Sequence, residues 1–521
     1  MNGQTVPPVP APSNDLTPQR VAWTLLLIPA LIQLLLHLLT TGRFGIFRDE
    51  YYYLACAARP AWGYVDQPPF SIWVLTAWKA VFGDSIHSIR MLPALCGSGL
   101  VMLTGATAAQ LGGGRWAQLV AGIASGIGAA GLVLCGIYSM NCYDFLFWTG
   151  AYYLLVRIAR TGDGRLWPWF GLVIGLGLFN KIGLLVMGAA LVAGLLATKH
   201  RRHFADKRLY LAGIIATVFL LPYLLWNVSN DWPTLEFMEY AKRYKISDTS
   251  PTGFLGENIL EANPLSVPLW LGGLLWLLIA RSARRFRILA VMFIAAWVIL
   301  VLQKSKPYYF ASSMPMMMAA GGVAWERWTN GQRWRWGRWV MAATLLAGLV
   351  IFMPIALPIL SPAGVDAYQK KLGIVPNTGE VGHTADLPQY FSDRFGWEEL
   401  ARTVSEVYQG LTPEEQTNCV VIGRNYGHSG ALEYWSKQYD IPPVYGRHNN
   451  YWLWGPPPVD ENTVIIAINL NPEWLAENFE AYEEGGVSET PFAQESRFVV
   501  WVCRRLQRPI DDVWEEIKLF I

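Results

Sequence analysis

The chain has 521 residues, of which 53% are hydrophobic and only 15% charged, against about 25% charged in ordinary soluble domains. A mean hydropathy of +0.26 and a net charge of +2 point to a polytopic α-helical membrane protein and give no support to a nucleic-acid partner. Six cysteines without a CxxC spacing leave no metal or redox motif.

Residues 1–20 are rich in Pro and polar residues and read as a disordered cytoplasmic tail. The first apolar run begins after Arg20 without a cleavage site and reads as a retained helix. Eleven segments approach the roughly 20 apolar residues of a membrane span. They lie near 21–41, 90–111, 117–137, 145–160, 168–180, 182–198, 208–227, 264–280, 288–303, 308–324 and 339–360. The stretch 69–83 is apolar but short and reads as an interfacial or re-entrant helix. Basic loops at 112–116, 157–165, 199–208, 281–287 and 326–338 fall on one side, which the excess of cytoplasmic Lys and Arg assigns to the cytoplasm. The opposite loops carry the acidic and aromatic clusters.

From about 361 the composition changes. DRFGWEELARTVSEVYQGL (393–411) predicts an amphipathic helix, and CVVIG (419–423), TVIIAI (463–468) and RFVVWVC (497–503) predict buried strands. A bundle over 21–360 is therefore expected to carry a small α/β domain over 361–521. An odd number of spans from an inside N-terminus places that domain outside. Cys419 and Cys503 each lie in a strand-like segment and could pair there.

The outer loops hold the candidate chemistry. FRDEYYYLACAARPAWGYVDQPPF (47–70) crowds Asp49, Glu50 and Asp66 among tyrosines and prolines. Asp49 and Glu50 read either as a hydrated loop or as acids fixed against a pocket wall by the three tyrosines that follow. Asp144 in SMNCYDFLFW (139–148) opens another span, as a partner of the helix dipole or as a second acid acting with the first pair. Asp66 is a turn former or an oxygen ligand for a divalent cation. Lys181 interrupts GLGLFNKIGLL (175–185), by snorkelling or as a point charge for a lipid phosphate. Lys304, Lys306 and Tyr308 in KSKPYYFASSMP (304–315) raise the same choice between a phosphate site and an anchoring loop. No Walker loop or strand-linked GxGxxG is present, so no nucleotide cofactor is expected, and a reaction outside the cell would need a lipid-linked donor.

These motifs resemble the first outer loop and later tyrosine–lysine motif of bacterial integral-membrane glycosyltransferases of the GT-C class, the protein mannosyltransferase-like and aminoarabinose transferase-like family. The likeness continues through NPLSVPLWLGGL (263–274), LPQYFSDRFGWEEL (387–400), NYGHSGALEYW (425–435) and NNYWLWGPPP (449–458). It implies a helix bundle with juxtamembrane helices and a periplasmic domain, in the bacterial inner membrane. It implies transfer of a sugar from a polyprenyl-phosphate donor to an envelope lipid, glycan or protein, such as lipopolysaccharide or a glycosylated protein. On the matching positions, Asp49 is the implied catalytic acid, Glu50 its neighbour and Asp144 the second acid. Asp66 matches a metal-binding acid, and Lys181 and Lys306 match basic positions near the carrier phosphate. A transporter or flippase of a lipid-linked sugar is the alternative. An envelope assembly or sensor protein, for which Asp49 and Asp144 would be dispensable, is the third reading.

Overall fold

A segment inside a membrane must pair its own backbone N–H and C=O groups, and a helix does so within one segment. The computed structural model describes residues 16–245, 249–375 and 385–521. Its first part is accordingly a succession of helices. They are α1 (Trp23–Thr40), α2 (Arg48–Ala58), α3 (Phe70–Phe82), α4 (Ile86–Gln110), α5 (Arg115–Gly126), α6 (Ala129–Leu134), α7 (Met140–Thr161) and α8 (Trp167–Asn180). There follow α9 (Leu185–Ala197), α10 (Lys207–Ser229), α11 (Pro233–Tyr240), α12 (Pro251–Glu261), α13 (Val267–Ile279), α14 (Arg287–Leu302), α15 (Met314–Trp328) and α16 (Trp336–Ala356).

Each of the eleven expected segments falls on these helices, but the expected number of spans is not reached on helix length. Five stretches of the described residues are long and apolar enough to cross a membrane alone: α1, α4, α10, 284–302 and 332–356. Two bent pairs, 182–205 and 251–279, bring the number to seven. Helices α8, α9 and α13 have 14, 13 and 13 residues, about 20 Å at 1.5 Å per residue, short of a hydrocarbon core of roughly 30 Å. The outward side of α10 exposes Ile214, Val218, Leu221 and Leu225, a surface that suits lipid and not water. Inside, helices meet at small residues. A Cβ on Gly171 of α8 would lie 2.5 Å from Ala212 Cα of α10, and one on Gly273 of α13 would lie 2.5 Å from Gly321 N of α15. The chain is a multi-pass helical membrane protein.

Residues 16–20, expected to belong to a disordered tail, are instead docked on the bundle. Leu16 is buried, its carbonyl accepts from Arg285 at 2.8 Å, and the Gln19 N–H donates to the Ala109 carbonyl at 3.0 Å. The polar composition around Leu16 concealed its one apolar anchor. The remainder of that tail, 1–15, lies outside the described residues.

The second part carries a five-stranded sheet of order β2-β1-β3-β5-β4, formed by β1 (Cys419–Gly423), β2 (Val444–Gly446), β3 (Val464–Ile468), β4 (Phe479–Glu489) and β5 (Arg497–Leu506). β2, β1 and β3 run parallel; β5 and β4 complete the sheet antiparallel. β1 and β3 are buried throughout, as continuous apolar runs in a doubly covered parallel sheet should be. Helix Trp397–Gln409 covers one face through Trp397, Leu400, Ala401 and Val404, within the segment predicted as amphipathic. The suggested Cys419–Cys503 pairing is not made. Cys419 packs with Val421 on one face and Cys503 with Ile465 on the other, and β3 lies between their strands. Alternation of side chains across a strand points the two thiols apart.

One buried ion pair ties the bundle to the segment that follows α1. Glu50, in the first turn of α2, is 0% exposed, and Arg90 of α4 is 1% exposed. Arg90 Nε donates to Glu50 Oε1 at 2.9 Å and its terminal nitrogen to Oε2 at 2.6 Å. Arg90 also donates to the carbonyls of Thr41 and Gly45. Glu50 further accepts the N–H of Phe47 at 2.9 Å and of Tyr138 at 2.8 Å. The pair thus fixes the end of α1, the start of α2, the first turns of α4 and the entry to α7. Replacing Arg90 by Met leaves a buried carboxylate uncompensated. The expected loss is about 3–5 kcal/mol, seen as a large fall in the melting temperature of the detergent-purified protein; a melting curve like the wild type's would refute the central role of the pair.

Candidate active site

Helix α2 sets the geometry. Consecutive helical residues are roughly 100° apart around the axis. With Glu50 turned into the bundle, Asp49 turns to the sheet-bearing domain. Its Oδ1 accepts the hydroxyl of Tyr426 at 2.8 Å, and its side chain stays 37% exposed. Arg48 lies beside it, Nε to Oδ1 3.9 Å, and ion-pairs across the junction with buried Asp393 at 3.2 Å. Burial pushes the Asp393 carboxyl up to about 7. The Arg48 guanidinium opposes that rise and the charge of Asp49 adds to it.

The three tyrosines after Glu50 each reach a different segment. Tyr51 Oη accepts from the Trp435 indole at 3.1 Å, and Tyr53 Oη accepts the Met140 N–H at 3.1 Å. The Tyr52 hydroxyl lies 3.1 Å from Asp66 Oδ1 and 2.9 Å from Asn450 Oδ1. Asn450 Oδ1 also accepts the Val65 N–H at 2.8 Å, so a side chain of the sheet domain holds the turn that carries Asp66. Tyr52 thus links the Asp66 carboxylate to Asn450 of the sheet domain. Among the described residues no three His, Cys, Asp or Glu side chains gather as a cation site.

Asp144 and Lys181 meet deeper in the bundle. Asp144 is 3% exposed, and its Oδ2 accepts the Ser312 hydroxyl at 2.9 Å. Lys181 is the extended residue, φ −155° and ψ 122°, that breaks the chain between α8 and α9. It is 7% exposed, donates to Asn141 Oδ1 at 2.7 Å, and sits 4.3 Å and 5.5 Å from the ring centres of Tyr309 and Tyr308. Asn141, three residues before Asp144 on α7, brings the lysine and the acid to the same helix end. Lys304 and Lys306 precede those tyrosines directly, and Lys304 is exposed at φ +53°. The structure therefore gathers Lys181 and Tyr308 closely, with the two later lysines in the same loop.

Sequence reasoning missed Tyr426, Asn450, Tyr309 and Glu261. Glu261, at the end of α12, lines a cavity with Phe145, Ala311 and Met314. For Tyr426 and Asn450 the signal was the aromatic and amide content of NYGHSGALEYW and NNYWLWGPPP.

The dolichyl-phosphate-mannose-protein mannosyltransferase family matches the chain over residues 66–226. The fold is similar to that of ArnT from Cupriavidus metallidurans bound to undecaprenyl phosphate, at 15% identity and a TM-score of 0.59, over 92% of this chain and 98% of that chain. The apo form of ArnT from the same organism matches at 15% identity and a TM-score of 0.58, over 92% of this chain and 97% of that chain. No curated protein sequence matches. These findings bear out the resemblance drawn from the outer-loop motifs.

Asp393 gives the junction a pH signature. Its folded pKa of about 7 lies above the value near 4 of an unfolded aspartate, so stability is full below about pH 4 and declines toward pH 7. Relative to Asp393→Asn, the wild-type melting temperature is expected to fall as pH rises through that window. A constant difference between the two proteins would show that Asp393 does not titrate there.

Proposed function

We propose that the protein is a glycosyltransferase that moves a sugar from a polyprenyl-phosphate donor to an envelope lipid, glycan or protein, with Asp49 as the general base. The observation that carries this reading is the contrast between the acids of α2. Glu50 has four hydrogen bonds and no exposure. Asp49 beside it is oriented by one tyrosine and remains accessible. Glu50 is thus the anchor of the site and Asp49 its reactive group. The family match over 66–226 and the ArnT-like fold support the transferase reading, and the roles of the two acids rest on the geometry of α2.

In a one-step displacement the acceptor oxygen attacks the anomeric carbon while its proton passes to Asp49. The new bond is from acceptor oxygen to anomeric carbon. The bond that breaks joins that carbon to the carrier's phosphate oxygen, and the polyprenyl phosphate leaves. No covalent sugar–enzyme intermediate forms, so the configuration inverts. Base catalysis of this kind contributes about 10²–10⁴-fold. Negative charge grows on the leaving phosphate, and a preorganised cation stabilises it without reorganisation. Lys181 serves this role, with Asn141 Oδ1 accepting a hydrogen bond from one of its three N–H groups and two tyrosine faces holding its direction. Lys304, Lys306 and Tyr308 extend the same phosphate region toward the surface. Asp144 keeps Ser312 and the lysine in register. Asp66, fixed by Tyr52, lines the acceptor side. The positive-inside pattern puts this face and the sheet domain in the periplasm.

The test is mass spectrometry of envelope lipids and glycans from a deletion strain carrying wild type, Asp49→Asn or no copy. A sugar lost on deletion should return with the wild type, while Asp49→Asn, at matched expression, restores it at a rate about 10²–10⁴-fold lower. Full restoration by Asp49→Asn would remove the base assignment and favour a flippase of the same lipid-linked sugar.

A further inference from the structure

The group that orients Asp49 does not come from the bundle. Tyr426 is the first residue of the helix Tyr426–Trp435 in the sheet domain, 377 residues further along the chain. Its placement is over-determined. Asn425 caps that helix by accepting the His428 N–H at 3.0 Å, and is itself held by Glu495 at 2.8 Å. The helix lies directly on α2, because two glycines one turn apart remove the side chains between them. A Cβ at Gly427 would stand 2.5 Å from Arg48 Cγ, and one at Gly430 would stand 3.0 Å from the Tyr51 carbonyl carbon. The Tyr426 ring packs on Tyr52 at 4.9 Å between centres and on His448 at 4.7 Å.

We propose that Tyr426 is a positioning residue for Asp49, so that the sheet domain completes the active site as well as bracing the bundle. The inference rests on the transferase reading of Asp49. A phenol that donates to Oδ1 fixes the plane of the carboxylate and leaves Oδ2 to take the acceptor proton. Bracing is carried elsewhere. Arg59 at the end of α2 makes a two-pronged bond to Glu433, at 2.6 and 3.1 Å, and stacks over Trp454 at 4.3 Å. The two roles are therefore separable by mutation.

The experiment uses membranes of the deletion strain containing the full chain. An isotope-labelled lipid extract from the same cells, titrated as donor pool, reports initial transfer of label to endogenous acceptor per amount of folded protein. Tyr426→Phe deletes one hydroxyl. Loss of a hydrogen bond to a charged group corresponds to roughly a tenfold or greater fall in maximal rate, with the half-saturating extract and the melting temperature unchanged. In the Asp49→Asn background the same substitution should cost nothing further, since the group it positions is gone. Arg59→Gln should lower the melting temperature while leaving the rate per folded protein intact. A full rate for Tyr426→Phe overturns the proposal, as does an equal slowing of Asp49→Asn by the second substitution. If Asp49→Asn alone transfers at the wild-type rate, the transferase reading of Asp49 fails, and the positioning role falls with it, whatever Tyr426→Phe does.

Discussion

The arrangement depends on one carboxylate and one guanidinium held together out of water. Removing either ion from solvent costs several kcal/mol, and their attraction offsets this only when the surrounding hydrogen bonds are complete. Around Glu50 and Arg90 they are complete, with two backbone N–H groups on the acid and two backbone carbonyls on the base. Burial alone would raise the Glu50 carboxyl, but Arg90 and the Tyr138 N–H hold it below its ordinary value. Each partner obliges a different segment to be where it is, so the pair specifies the loop as well as stabilising it. Asp49 inherits its direction from this. On a helix whose second acid must face inward, the first faces the junction.

The site divides its charges by depth. Lys181 is placed deep, between two tyrosine rings at a chain break. Asp49 is placed at the rim, with its side chain 37% exposed. Between them stand the tyrosines of α2, which answer to α7, to the 64–67 turn and to the sheet domain in turn. Under the proposed transfer, a carrier lipid and a polar acceptor would approach from different phases, as this gradient of burial from Lys181 to Asp49 requires.

Much of this was legible in the residue pattern, and the exceptions have physical causes. Long apolar runs announced the helices of the eleven expected segments but not α2, α11 or α12, which lie in the polar stretches between them, and β-branched runs announced β1, β3 and β5. β2 has three residues, and β4 reads FEAYEEGGVSE, too acidic for a buried strand. It is an edge, pairing with β5 alone and exposing its glutamates to Arg504 and Arg505. Helix length and composition give five to seven spans against the eleven expected, because apolarity does not record length and α8, α9 and α13 have only 13 or 14 residues. Asp49, Asp66, Asp144 and Lys181 were visible because charge beside apolar sequence is conspicuous. Tyr426 and Asn450 stood in segments marked only by their aromatic and amide content, since nothing local in a sequence marks a contact formed across several hundred residues.

The close seat of the helix Tyr426–Trp435 on α2 has a consequence for how such a chain can diverge. At Gly427 and Gly430 no side chain separates the two halves, so the surface of α2 and the underside of the sheet domain are moulds of one another. A bulkier residue at 427 has to be matched by a change at 48, and one at 430 presses on main chain that cannot yield. Recombination that grafted a foreign outer domain onto this bundle would meet that mismatch first. Diversity in the sheet domain should therefore accumulate in loops away from this contact, while the contact itself drifts only by paired substitution.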